Sequence, residues 1–190
     1  MPYMQVEQLK WSVARAILRA PDRDPKNGKL ATHEVLFTVR PGWSKYGKYL
    51  PALPGGKFEE TDFSGITTAE ELNSTDSILT PDQLTAAGFN AIVREVYEEL
   101  GLTIPHAILQ SIGATTNHLG WTTYAYAADL PEKPSLLVRP DSAGVRWIDV
   151  MEILIKRPAL LSGHLAIARA GIHELGGYTQ PKSDSVKKRK

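Results

Sequence analysis

Apolar and polar positions along the chain fall into six short β-like runs and two helical ones. Residues 11–20 (Trp-Ser-Val-Ala-Arg-Ala-Ile-Leu-Arg-Ala) interleave apolar and polar side chains and predict a strand. Turn residues follow from Pro21 to Gly28, and His33 to Arg40 predicts a second strand, so the pair reads as a hairpin. Lys48 to Pro54 is a short third strand before Gly55-Gly56. Further strands are expected at Ile108–Thr115, at Trp121–Asp129, which is rich in aromatic residues, and at Val145–Ile148.

The helical signals are stronger at one place than at the other. Thr80-Pro81-Asp82-Gln83 sets a capping hydroxyl, a proline at the first helical position and a Gln three residues after the cap. That helix runs to Leu100, where Gly101 is a natural stop. Gly88 inside it is a weak helix former, so a break there stays open. Ala69–Leu72 and Asp149–Lys156 read as helical turns, and Pro158–Leu175 as a C-terminal helix ending at Gly176-Gly177. No internal repeat is visible. The pattern predicts an α+β protein, a mixed sheet with one central and one terminal helix.

Composition narrows the classes. The 190 residues are 42% hydrophobic and 23% charged, which suits one domain with one core. There is no cysteine, which excludes disulfides, thiolate nucleophiles and Cys-ligated zinc. No run approaches a membrane span and no secretory signal is visible, so a cytoplasmic location is expected. The net charge of +1 is a cancellation: five Lys or Arg and one Asp from Lys182 onward give +4, leaving −3 for residues 1–181. An acidic body fits a divalent cation better than a nucleic acid. The short basic end reads as a disordered tail, 178–190.

The acidity has a focus. Glu95, Glu98 and Glu99 stand at i, i+3 and i+4, on one face of the predicted helix, where they repel one another. A hard cation with oxygen ligands would offset that repulsion; a solvated acidic face is the alternative. Arg94 is placed to brace the carboxylates. Upstream, Leu53-Pro54-Gly55-Gly56-Lys57-Phe58-Glu59-Glu60 carries paired glycines that let backbone approach a ligand.

Together these residues resemble the signature of the Nudix hydrolases: Gly, five residues, Glu, seven residues, then Arg-Glu-apolar-any-Glu-Glu-any-Gly-apolar. Arg94 to Leu102 matches every specified position of the second half, and Gly56 matches the leading glycine. The middle departs from the pattern. Asp62 stands where Glu is specified, and 31 residues rather than seven separate it from Arg94. The surplus of 24, about residues 63–86, divides into a polar loop and seven extra helical residues. Seven residues are close to two turns and hardly rotate the acidic face. A long loop could carry Asp62 away from Arg94, with Glu59 and Glu60 as rival partners.

The resemblance implies an α/β/α sandwich over residues 1–177 and Mg²⁺-dependent hydrolysis of a nucleoside diphosphate linked to a moiety X, with Mn²⁺ as the alternative ion. It implies Glu95, Glu98, Glu99 and the Gly56 carbonyl as metal ligands, with Arg94 orienting the carboxylates. Lys57 faces either phosphate or solvent. The general base is either a helix glutamate or a later acid, for which Asp141 is the best candidate and Glu132 a weaker one. Trp43, Lys45, Tyr46 and Lys48, and Asn117, His118, Trp121 and Tyr124, are candidates for holding a base, against ordinary loop and core roles. A catalytically silent nucleotide-sensing or partner-binding module is the competing function. A small-molecule nucleotide is the expected partner, and a homodimer stays open.

Overall fold

The computed structural model describes residues 4–74, 76–139 and 142–176. Its strands are β1 (Met4–Gln5), β2 (Ser12–Arg23), β3 (Leu30–Val39), β4 (Pro51–Ala52), β5 (Ile78–Leu79), β6 (Gln110–Thr116), β7 (Thr122–Asp129) and β8 (Gly144–Asp149). Its α-helices are α1 (Ala69–Asn73), α2 (Pro81–Leu100) and α3 (His164–Leu175).

Six strands make one mixed sheet in the order β4-β3-β2-β7-β6, with β8 on the other side of β3. β2 and β3 form the expected antiparallel hairpin, while β2 and β7 run parallel. The upper half of β2 pairs with β3, and its lower half takes the glycine-bearing segment instead. There the Ala14 and Ala16 N–H groups donate to the carbonyls of Gly56 (2.8 Å) and Pro54 (2.9 Å).

Period-two alternation splits the sheet into two cores. Ala14, Ala16 and Leu18 of β2 and Tyr124 and Tyr126 of β7 pack with Leu84, Ala87, Ala91, Ile92 and Leu100 of α2. Ile17, Phe37, Ala125 and Ala127 pack on the opposite face with Ala168 and Ile172 of α3. The result is the three-layer α/β/α arrangement. Arg19, on the α3 face, pairs with Asp129 (2.6 Å) and donates to the carbonyls of Gly176 (2.6 Å) and Leu175 (3.2 Å), which ties the end of α3 to the sheet.

α2 begins as its sequence dictates. The Thr80 hydroxyl accepts from the Gln83 N–H, and the Gln83 side chain accepts from the Thr80 N–H. It runs unbroken through Gly88, so a separate inserted helix does not form. A Cβ at Gly88 would lie 1.6 Å from the Tyr126 hydroxyl, so glycine here makes room for a core tyrosine.

α3 starts six residues later than the pattern predicts. Residues 158–163 form a strap instead: the Leu161 N–H donates to the Pro51 carbonyl (2.9 Å), and the Leu161 side chain fills the space that Gly47 leaves. Gly163, at φ 81°, then turns the chain into the helix. The inserted residues are also built in: Phe63, Leu79 and Leu84 are buried, and β5 pairs with β1. The expected basic tail, 178–190, lies outside the described residues. Among the described residues no helix is long and apolar enough to cross a membrane.

Candidate active site

Arg94 organises the acidic face of α2. Its Nε and Nη2 donate to the two carboxylate oxygens of Asp62, each at 3.0 Å, and Nη2 also donates to the Lys57 carbonyl (2.9 Å). Nη1 faces Glu95 (3.0 Å), Glu98 (3.2 Å) and Glu59 (3.3 Å). The long insertion therefore returns Asp62 to Arg94, and the shorter acid is its two-pronged partner. The Asp62 side chain is 2% exposed, and Oδ2 also accepts the Glu59 N–H (2.8 Å). The Asn90 side chain holds the Asp62 carbonyl (2.8 Å). Burial works against the Arg94 charge, but the bonds and charge of Asp62, then Glu95, outweigh it and hold its pKa above the ordinary value.

The glycine pair meets the same face. Gly55 adopts φ 127°, and a Cβ there would lie 2.2 Å from the Ala14 carbonyl oxygen. A Cβ on Gly56 would lie 2.0 Å from Glu95 Oε1. Only glycine at both positions lets the chain pass between β2 and the carboxylates. The Gly55 N–H donates to Glu99 (3.3 Å). Burial pushes the Glu99 carboxyl up to about 7, with Arg15 acting in the opposite sense, and burial likewise raises Glu95.

These acids open onto a cavity of about 250 Å³ lined by Glu95, Glu98, Glu99, Arg40, Pro41, Trp43 and Ser44. Arg40 is held by the buried Ser44 hydroxyl, at 3.1 and 2.6 Å, so its charge is fixed at the cavity wall. Trp43, 73% exposed, stands as the aromatic wall.

Other candidates resolve differently. The Lys57 side chain is exposed, with its ammonium 5.7 Å from the Trp121 ring centre. Trp121 also meets Trp11 edge to face at 5.2 Å. The Asn117 side chain closes its own turn by accepting the Leu119 and Trp121 N–H groups (2.9 and 3.1 Å). Tyr124 is fully buried against Phe58 and belongs to the core. The Gly56 carbonyl accepts from Ala14 within the sheet, whereas the Gly55 carbonyl accepts from Arg15. Lys45 sits by the Tyr46 ring (5.3 Å), and Lys48, Glu132 and His118 are exposed. Asp141 lies outside the described residues; nearby, the Arg139 N–H donates to the Glu99 carbonyl (3.3 Å).

Sequence reasoning missed Arg15, Arg40 and His164. His164 Nδ1 accepts the Leu53 N–H (2.8 Å) and so fixes the segment leading into Gly55. The available signal for Arg15 was a charge inside an apolar strand.

Solved structures share this fold, among them three that cover most of the chain. The NUDIX domain of Shewanella oneidensis NrtR, solved with ADP ribose, superposes with a TM-score of 0.57 at 16% identity over 87% of this chain and 88% of that one. RenU, a Nudix hydrolase from M. smegmatis, gives 0.54 at 23% identity over 90% and 92%. A mutT/nudix family protein from Listeria innocua gives 0.54 at 23% over 86% and 92%. The chain has the Nudix fold. No protein-family model and no curated protein matches the sequence, so the Nudix likeness rests on the three-layer fold and the residues of the acidic helix.

The acidic face has the donor chemistry of a site for a hard divalent ion: carboxylate oxygens in excess over nearby cations, two of them desolvated. Among the described residues, however, no three acidic or imidazole groups converge as a ready-made metal cage. Arg94 draws Glu95 and Glu98 toward itself, while Gly55 draws Glu99. The residues fit an ion in kind and charge, and gathering them requires side-chain rotation.

Proposed function

We propose that this protein is a Nudix-type hydrolase that cleaves the pyrophosphate of a nucleoside diphosphate linked to a second moiety, using Mg²⁺ or Mn²⁺. One observation carries the reading: Glu95, Glu98 and Glu99 line one cavity together with Arg40 and Trp43. Carboxylates alone repel a polyphosphate. Carboxylates able to hold a divalent ion, facing a fixed guanidinium and an exposed indole, form a place for a phosphate chain joined to a flat ring.

Glu98 and Glu99 would hold the ion, with Glu95 as a further ligand. The ion would supply neutralisation of the pyrophosphate charge and a more acidic water. The chain's own residues do the rest. Arg94 fixes the angular position of Glu95 and Glu98 while anchored on Asp62. Arg40 binds a phosphate oxygen, and Trp43 stacks on a ring. Removal of the water's proton falls to a carboxylate, either a helix glutamate or Asp141. A second cavity, about 380 Å³, lies between the N-terminal segment and the insertion and is lined by Val6, Leu9, Phe58, Phe63, Leu72 and Glu59 among others. Glu59 of this cavity and Glu98 of the first both meet Arg94 Nη1, which makes the second cavity our candidate for holding X.

The competing reading, a binding module without turnover, draws support from the splayed carboxylates. A panel of nucleoside diphosphate derivatives, ADP-ribose included, incubated with Mg²⁺ or Mn²⁺ separates the two. Release of nucleoside monophosphate or phosphate is expected. Ligand binding by calorimetry with no product from any member would favour the module and overturn the hydrolase.

A further inference from the structure

Arg15 is a cation placed where a cation is wanted. It sits in β2 between Ala14 and Ala16, both fully buried, on the odd-numbered face that Ile17 presents to the α3 core. Its Nη1 donates to the carbonyl of Gly55 and to that of Leu53 (3.3 Å). The same Gly55 donates its N–H to Glu99. One glycine is thus gripped by a guanidinium on its carbonyl and a glutamate on its amide.

Among the described residues Arg15 has no direct carboxylate partner. Burial pulls its pKa below the ordinary value, and the charges of Glu99 and Glu95 oppose that pull. Those are two of the three carboxylates assigned to the ion. Arg94 leaves Glu99 unbalanced, because its Nε and Nη2 are committed to Asp62 and its Nη1 to Glu95 and Glu98. A guanidinium keeps its charge at any working pH and is more weakly hydrated than an ammonium, so it suits a desolvated position.

We propose that Arg15 is a built-in counter-cation of the acidic site. It occupies the Gly55 carbonyl and balances Glu95 and Glu99 when no ion is bound, so the protein takes up divalent ions more weakly, or in smaller number, than its carboxylates allow. The proposal rests on reading the acidic face as a divalent-ion site. A divalent ion brought beside this guanidinium meets repulsion, and the Gly55 oxygen is open to it only after Arg15 lets go.

Mn²⁺ binding to the full chain, without substrate, tests this by the loss of the free-ion electron paramagnetic resonance signal. Arg15→Met and Arg15→Gln, checked for folding by circular dichroism, are expected to bind Mn²⁺ about 10-fold more tightly than the parent or to hold one more ion per chain. Arg15→Lys keeps a charge and is expected to stay near the parent. Mn²⁺ bound equally or more weakly by the neutral variants overturns the proposal and leaves the divalent reading standing. No Mn²⁺ bound by parent or variants overturns both. Should neither neutral variant fold, nuclear magnetic resonance of the parent's arginine side chains during Mg²⁺ titration replaces them. The Arg15 signal must then move as Gly55 is released, and an unmoved Arg15 signal alongside shifted Glu99 overturns the proposal.

Discussion

Asp62 shows how one side chain settles a question of spacing. Its carboxylate is buried and bonded to two nitrogens of Arg94. Glu59, whose side chain is 57% exposed, touches the same guanidinium from the rim. Breaking a buried pair leaves an uncompensated charge, whereas an exposed pair is worth little. Asp62→Ala is therefore expected to lower unfolding stability by about 3 kcal/mol, and Glu59→Gln by less than about 1 kcal/mol, in urea titrations. Equal effects would place the anchor elsewhere. His164 supports the site from the other face. Burial, then the charges of Arg15 and Arg40, push its pKa down to about 3, from an ordinary value near 6.5. The native state thus refuses a proton that the unfolded chain accepts. Stability is complete above about pH 6.5 and falls as the pH drops from there toward 3. His164→Ala is expected to flatten that slope by one proton, read from unfolding at pH 7 and pH 5; an unchanged slope would assign it to other groups. Arg94 and the glutamates were legible because they lie within two turns of one helix. Asp62, Arg15 and His164 were not, since their partners are 32, 40 and 111 residues away.

At the scale of elements, local chemistry and legibility go together. The Thr80–Gln83 capping box fixes the start of α2, and Gly101, at φ 66°, fixes its end. Within it, Gly88 reverses an ordinary expectation. Alanine is the better helix former by about 1 kcal/mol, yet here its Cβ would collide with the Tyr126 ring and hydroxyl. Gly88→Ala is expected to destabilise by about 1–3 kcal/mol through overpacking; a stabilised variant in denaturant titration would show that α2 sits farther from β7. α3 was legible in existence and end but not in start, because Leu160 and Leu161 imitate a helical stripe while serving a strap over β4. The two-residue strands β1 and β5 left no periodic signal, since a ladder that short is made only by the fold. The insertion kept the acidic face in place partly by adding helix and partly by contributing core residues.

Across the whole molecule, the site lies where the two cores meet. α2 brings the acids from one face of the sheet, while Arg15 comes from the α3 face and Arg40 from the end of β3. The gap in β2's pairing, filled by the glycine segment, is the opening through which they face each other. The mixed sheet with a central and a terminal helix, and the acidic face of the central one, could be read from periodicity and spacing, whereas the α/β/α layering came from the Nudix resemblance. The cations could not, because strand order decides which residues reach the gap. On the proposed function, the glutamates of α2 perform divalent-dependent hydrolysis. The most direct measurement is turnover with Mg²⁺, on a substrate the parent cleaves, for the parent and for Glu98→Gln and Glu99→Gln. Loss of turnover by about 100-fold or more in both folded variants, with no product in either when Mg²⁺ is removed, is the predicted result. Parent-like turnover in both variants, or full activity without a divalent ion, would contradict it.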